Sequence, residues 1–141
     1  MFTRLDDTIL VYGQLDPADV AQAKALGVTM IVNNRPDDEQ PGQPSGAEIE
    51  AAARAAGIAY RAIPVTHAGF SLPQVDAMVA ALDGAGGTVL AFCRSGTRST
   101  LLWALAQAKS GADLSEVAAK ARAAGYDVSP VRPAMDALAA G

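Results

Sequence analysis

The sequence predicts an α/β domain, a single sheet flanked by helices, and three observations carry that reading. Short apolar runs rich in β-branched residues recur along the chain: Ile9-Leu10-Val11-Tyr12, Val28-Thr29-Met30-Ile31-Val32, Ile58-Ala59-Tyr60-Arg61-Ala62-Ile63 and Thr88-Val89-Leu90-Ala91-Phe92. Helix-length segments that begin on cap residues and stop at glycine lie between them. With 141 residues, half of them hydrophobic, the chain suffices for one compact core and is short for two, so residues 1–141 are read as one domain.

Taken in order, Ile9-Leu10-Val11-Tyr12 is a strand that ends near Gly13. Asp16-Pro17 starts a helix, because the aspartate accepts from free amides and proline fits the first helical position; this helix runs through Leu26 and stops at Gly27. Val28-Thr29-Met30-Ile31-Val32 follows as a core strand. Residues 47–56 form a helix capped by Ser45, and the run from Ile58 to Ile63 is the next strand. A helix over residues 72–82 is capped by Ser71, and Asp83-Gly84-Ala85-Gly86-Gly87 turns into the strand Thr88-Val89-Leu90-Ala91-Phe92. The helix after that strand turns Leu101, Leu102, Leu105 and Trp103 to the core. Two more helices, over 114–124 and 131–140, complete the chain. In this βαβα order, a ligand site belongs at the carboxyl ends of the strands.

The loop Cys93-Arg94-Ser95-Gly96-Thr97-Arg98-Ser99 joins the last strand to its helix and holds the only cysteine. A helix start leaves backbone N–H groups without partners, and a tight loop can aim them at one centre above the sulfur. Gly96 permits close backbone approach, while Ser95, Thr97 and Ser99 bring hydroxyls. Such a nest binds an oxyanion. Together with Arg94 or Arg98 it is expected to favour thiolate over thiol at Cys93. The competing reading is a buried structural cysteine at an ordinary turn; two arginines, a glycine and three hydroxyl residues in six positions weigh against it.

That loop resembles the active loop of rhodanese-type sulfurtransferases and the anion loop of cysteine-dependent protein phosphatases. Including Gly13-Gln14, Ile31-Val32-Asn33-Asn34-Arg35-Pro36 and Ile63-Pro64-Val65, essentially the whole chain is similar to the bacterial family described as the phosphatase-like domain of beta-lactamase-hydrolase-like proteins. The resemblance implies a protein-tyrosine/dual-specificity phosphatase-like fold, in a family whose members are often labelled sulfurtransferases. One departure matters: phosphatase loops usually place five residues between cysteine and arginine, often after a histidine. Here four residues separate Cys93 from Arg98, and Phe92 precedes the cysteine. The shorter ring favours the sulfurtransferase comparison.

Three functions are weighed. In sulfur transfer, the favoured one, the Cys93 thiolate takes sulfane sulfur from a donor and passes it from a persulfide to a thiol, sulfite or cyanide. In phosphate monoester hydrolysis, Cys93 forms a thiophosphate while Arg98 and the loop amides hold the oxygens. A non-enzymatic redox or anion sensor would show stoichiometric modification of Cys93 in place of turnover. Cys93 and Arg98 are the catalytic pair; Arg94, Ser95, Gly96, Thr97, Ser99, Arg35 and His67 are candidate anion or substrate contacts.

Hydrolysis benefits from an acid for the leaving oxygen. No Asp or Glu occurs from Pro64 through Pro73, where the phosphatase resemblance directs the search. Asp37, Asp38 and Glu39 read as a solvated surface, with one of them able to assist chemistry, and Asn33 and Asn34 as turn formers. His67 is read either as an exposed turn residue or as a rim acid and base, since imidazole ordinarily titrates near neutrality.

A net charge of −4 argues against nucleic acid or an anionic membrane as partner and leaves a small anionic sulfur or phosphate substrate. One cysteine and one histidine make a conventional zinc site improbable, and neither chemistry requires a metal or organic cofactor. The N-terminal residues lack a long apolar stretch and no segment reaches transmembrane length, so a reducing cytoplasm is the expected compartment for the free thiol. Oligomeric state is not fixed by the sequence.

Overall fold

Five short strands form one mixed sheet in the computed structural model, which describes residues 2–141: β1 (Thr3–Asp6), β2 (Ile9–Tyr12), β3 (Val28–Asn33), β4 (Ala59–Ala62) and β5 (Thr88–Phe92), in the order β1-β2-β5-β3-β4. Only the β1–β2 pair is antiparallel; β2, β5, β3 and β4 run parallel. The central strand is therefore the one that leads into the cysteine loop. β1 carries no sequence signal, because Arg4 and Asp6 interrupt its apolar pattern; pairing with β2 makes it a strand.

Successive side chains of a strand point to opposite faces, and both faces are covered. Ile9, Val11, Met30, Val32, Val89 and Ala91 enter one core, with α3 (Leu72–Gly84), α4 (Thr97–Lys109), α5 (Leu114–Ala123) and α6 (Arg132–Ala140). Leu10, Ile31, Leu90 and Phe92 enter the other, with α1 (Val20–Ala25) and α2 (Gly46–Ala55). In α4 every residue from Ser99 to Ala106 is buried, and Trp103 is wholly enclosed. The buried alanines Ala81, Ala104, Ala106, Ala108 and Ala121 provide the small surfaces that bring these helices close.

Two helix starts differ in detail from the sequence reading. The first turn after Asp16 is a 3₁₀ turn, Pro17–Asp19, tied by the Asp16 amide donating to the Asp19 carboxylate (2.9 Å) before α1 begins. At α3 the Ser71 amide donates to Gln74 Oε1 (2.8 Å), so the side chain three residues on closes the cap. Ser45 caps α2 as expected, accepting from the Glu48 amide (3.2 Å). Among the described residues no helix is long and apolar enough to cross a membrane.

Leu102 has no exposed surface in the core beneath the cysteine loop. Leu102→Ala is expected to lower unfolding stability by about 2–5 kcal/mol in urea titration, the usual result of emptying a leucine-sized volume that neighbours cannot refill. A loss below about 1 kcal/mol would contradict this packing.

Candidate active site

Cys93 is the first residue beyond β5, and its amide donates to the Tyr12 carbonyl at the end of neighbouring β2 (3.4 Å). The sulfur is thereby fixed at the carboxyl edge of the sheet. Four residues on, the chain is already helical, which requires a sharp reversal. Gly96 provides it with φ +87°, a left-handed conformation that residues with a Cβ rarely adopt. The reversal aims the Gly96 N–H at Cys93 Sγ (3.1 Å), and the Gly96 carbonyl accepts from the Thr100 amide (3.0 Å) and hydroxyl (2.8 Å).

Arg98, in the first turn of α4, reaches across the site. Its Nη1 donates to the Val65 carbonyl (2.7 Å) and to Glu39 Oε2 (2.8 Å), and its Nη2 to Glu39 Oε1 (2.8 Å). This fork-to-carboxylate geometry is the one arginine uses for an oxyanion. The Glu39 hydrogen bonds hold Arg98 even more firmly cationic than usual against the opposing effect of burial, and the neighbouring Cys93 sulfur adds to them. In turn, Arg98 first and Arg35 second draw the Glu39 pKa down to about 2 despite partial burial.

Two expectations change here. Glu39 is an exposed residue whose carboxylate is nonetheless paired: its side chain is 19% exposed and shared between two guanidinium groups, Arg35 Nε at 2.9 Å and Arg98. Arg35 does not line the cleft as a substrate contact. Its side chain is 2% exposed, and it donates to Gln14 (2.9 Å), Glu39 (2.9 Å) and Gln40 (3.1 Å). Arg35 thus positions Glu39. Its own amide donates to Asn33 Oδ1 (2.9 Å), the turn role read for that asparagine, and Asp37 accepts from the Gly46 amide (2.8 Å) at the start of α2.

Glu39, His67, Arg94 and Arg98 line a cleft of about 260 Å³. His67 and Arg94 are exposed on its rim. Ser95 and Thr97 share a hydroxyl hydrogen bond (3.0 Å) on the outer side of the loop, while the Ser99 hydroxyl is buried without a partner among the described residues. Cys93 itself is fully buried, as the competing structural reading has it, and its sulfur accepts from the Gly96 amide. Tyr126, beyond α5, also reaches the loop: its hydroxyl donates to the Ser95 carbonyl (3.0 Å). Nothing in the sequence around Tyr126 announces this contact, and Glu39 lies 59 residues from Arg98, beyond the reach of any local pattern.

Comparison with known proteins agrees with this geometry. The family described as "Beta-lactamase hydrolase-like protein, phosphatase-like domain" matches residues 2–110. A beta-lactamase hydrolase-like protein of Xylella fastidiosa (strain Temecula1) is 34% identical over 125 residues, which cover 88% of this chain and 29% of the relative. This chain thus spans less than a third of that relative's length. The crystal structure of a "putative phosphatase" from Neisseria meningitidis Z2491 superposes with a TM-score of 0.82 at 34% identity, covering 96% of both chains. Tk-PTP in its active form, at 19% identity, shares the fold with a TM-score of 0.73 over 99% of this chain and 96% of its own. With its mixed sheet, flanking helices and cysteine loop, the chain belongs to the phosphatase-like domain family of beta-lactamase hydrolase-like proteins.

Proposed function

We propose that the domain hydrolyses phosphate monoesters through a Cys93 thiophosphate. The observation that carries this reading is the Arg98 fork beside the sulfur, already filled by the two oxygens of Glu39. A phosphoryl group presents the same pair of oxygens with more charge, so it can take the place of Glu39 on Arg98 while Glu39 keeps its bond to Arg35. The Gly96 N–H and the open amides of the α4 first turn then face the remaining oxygens.

In the first step Cys93 Sγ bonds to phosphorus and the ester P–O bond breaks, its electron pair leaving with the alcohol oxygen. That oxygen needs a proton. Glu39, still hydrogen-bonded to the Arg35 cation, is not assigned that role. His67, exposed in the lining of the cleft, is the assigned donor. In the second step water gives its proton back to His67 and attacks phosphorus; the S–P bond breaks, and phosphate and thiolate are released.

Sulfur transfer is the second reading, supported by the four-residue interval between Cys93 and Arg98 and by the lack of a carboxylate from Pro64 through Pro73. There the Cys93 thiolate attacks the outer sulfur of a donor such as thiosulfate and releases sulfite. An acceptor thiolate, sulfite or cyanide then removes the terminal sulfur of the persulfide and restores Cys93.

Steady-state assays with aryl phosphates, thiosulfate and low-molecular-weight persulfides separate the two. Phosphate release is expected, falling on the order of 10³-fold or more in Cys93→Ser and roughly 10²–10³-fold in Arg98→Ala. Sulfur turnover that requires Cys93, with no phosphate release, would replace this reading with the second.

The pairing of Glu39 also has a consequence for acid stability. Its folded pKa, about 2, lies below its ordinary value of 4.5, so the pair stabilises the fold fully above pH 4.5 and loses that contribution as pH falls toward 2. Denaturant midpoints measured across this interval should therefore drop less steeply in Glu39→Gln than in the parent chain. Parallel pH dependences would show that Glu39 is not held in this way.

A further inference from the structure

α5 ends at Ala123, and the residues around its end dictate the path of the chain beyond it. Gly125 adopts φ +94°, its amide donates to Arg122 O (3.0 Å), and the Tyr126 amide donates to Ala121 O (2.9 Å). These two bonds close a Schellman turn, which reverses the chain and fixes the direction in which the next side chain leaves. Tyr126 leaves toward the cysteine loop. Its hydroxyl donates to the Ser95 carbonyl (3.0 Å), and it fills the space beside Gly96 so closely that a Cβ built there would collide with it.

The Ser95 carbonyl and the Gly96 N–H belong to one rigid peptide plane. One edge of that plane accepts from Tyr126, and the other donates to Cys93 Sγ at 3.1 Å. A peptide in a glycine-containing turn can rotate at modest cost, and rotation here would turn the N–H away from sulfur and aim a carbonyl at it. A hydrogen bond on the carbonyl opposes that rotation and polarises the N–H in the favourable sense.

We propose that Tyr126 is a positioning residue, whose hydroxyl locks the Ser95–Gly96 peptide so that its N–H points at Cys93. The phenol is suited to the task because it remains a donor: partial burial, and then the nearby Cys93 sulfur, push its titration above the ordinary range. Arg98 faces the sulfur from α4, with Glu39 on its far side; His67 and Arg94 stand on the cleft rim. None of these touches the Ser95–Gly96 peptide through a side-chain hydrogen bond; Tyr126 does. It also lies beyond residues 2–110, the stretch matched to the family, so this lock comes from the part of the chain outside that match.

The inference rests on Cys93 as the nucleophile, but its test does not require a substrate. In Tyr126→Phe the ring stays and the hydroxyl goes. Amide-resolved NMR on the parent and variant reads the consequence directly: the Gly96 proton resonance should move upfield, and its hydrogen exchange should accelerate roughly three- to tenfold, the equivalent of one net hydrogen bond. The buried amides of Leu102 and Leu105 serve as the internal check on folding and should be unchanged. An unmoved Gly96 resonance and exchange rate would overturn the lock. So would acceleration shared equally by Leu102 and Leu105, which would assign Tyr126 to general packing. If aryl phosphates are turned over, kcat should fall in the variant with KM preserved, since the hydroxyl is spent on the loop; absence of turnover in the parent would count against the phosphatase reading and leave the NMR result standing.

Discussion

The site depends on one constraint: the chain must pass from a buried central strand to a buried helix within four residues while keeping a sulfur atom inside the turn. β5 and α4 have almost no freedom to adjust, because Val89 to Phe92 and Ser99 to Ala106 are enclosed on all sides. The reversal is therefore concentrated at Gly96, whose left-handed backbone both completes the turn and delivers an N–H to Cys93. A fixed donor costs no reorganisation when charge develops on sulfur, which is the advantage of building the contact from backbone.

Around this turn the charges are arranged as a chain of exchangeable partners. Gln14 and Gln40 satisfy Arg35, Arg35 steadies Glu39, and Glu39 occupies Arg98. The Arg98 guanidinium in the cleft is thus paired, while Arg94 is exposed at the rim. Under the proposed function, binding at Arg98 is an exchange of one anion for another, which favours doubly charged ligands over singly charged ones.

Much of this was legible in the sequence, and the rest was hidden for identifiable reasons. Short apolar runs rich in β-branched residues mark β2 to β5, and glycines mark the helix ends, because those signals are local. The cysteine loop was legible for the same reason: its glycine, arginines and hydroxyls fall within seven consecutive residues. β1 was missed because its strand character comes from its partner. The pairing of Glu39 with Arg98 is hidden because it bridges 59 residues, and the Tyr126 contact is hidden because a helix stop reveals where a chain turns but not what it then meets.

The covering of α4 has one more implication, for how small this unit can be. The face of α4 that carries Trp103 and Leu102 shares its core with Val117, Ala121, Val128, Val131 and Met135, all downstream of the family match. A fragment trimmed to the matched stretch would keep every residue of the cysteine loop yet present a bare oily flank to water, a surface that self-associates. The terminal helices are structural partners of the reactive turn, and the boundary drawn by family likeness falls inside the cooperative unit.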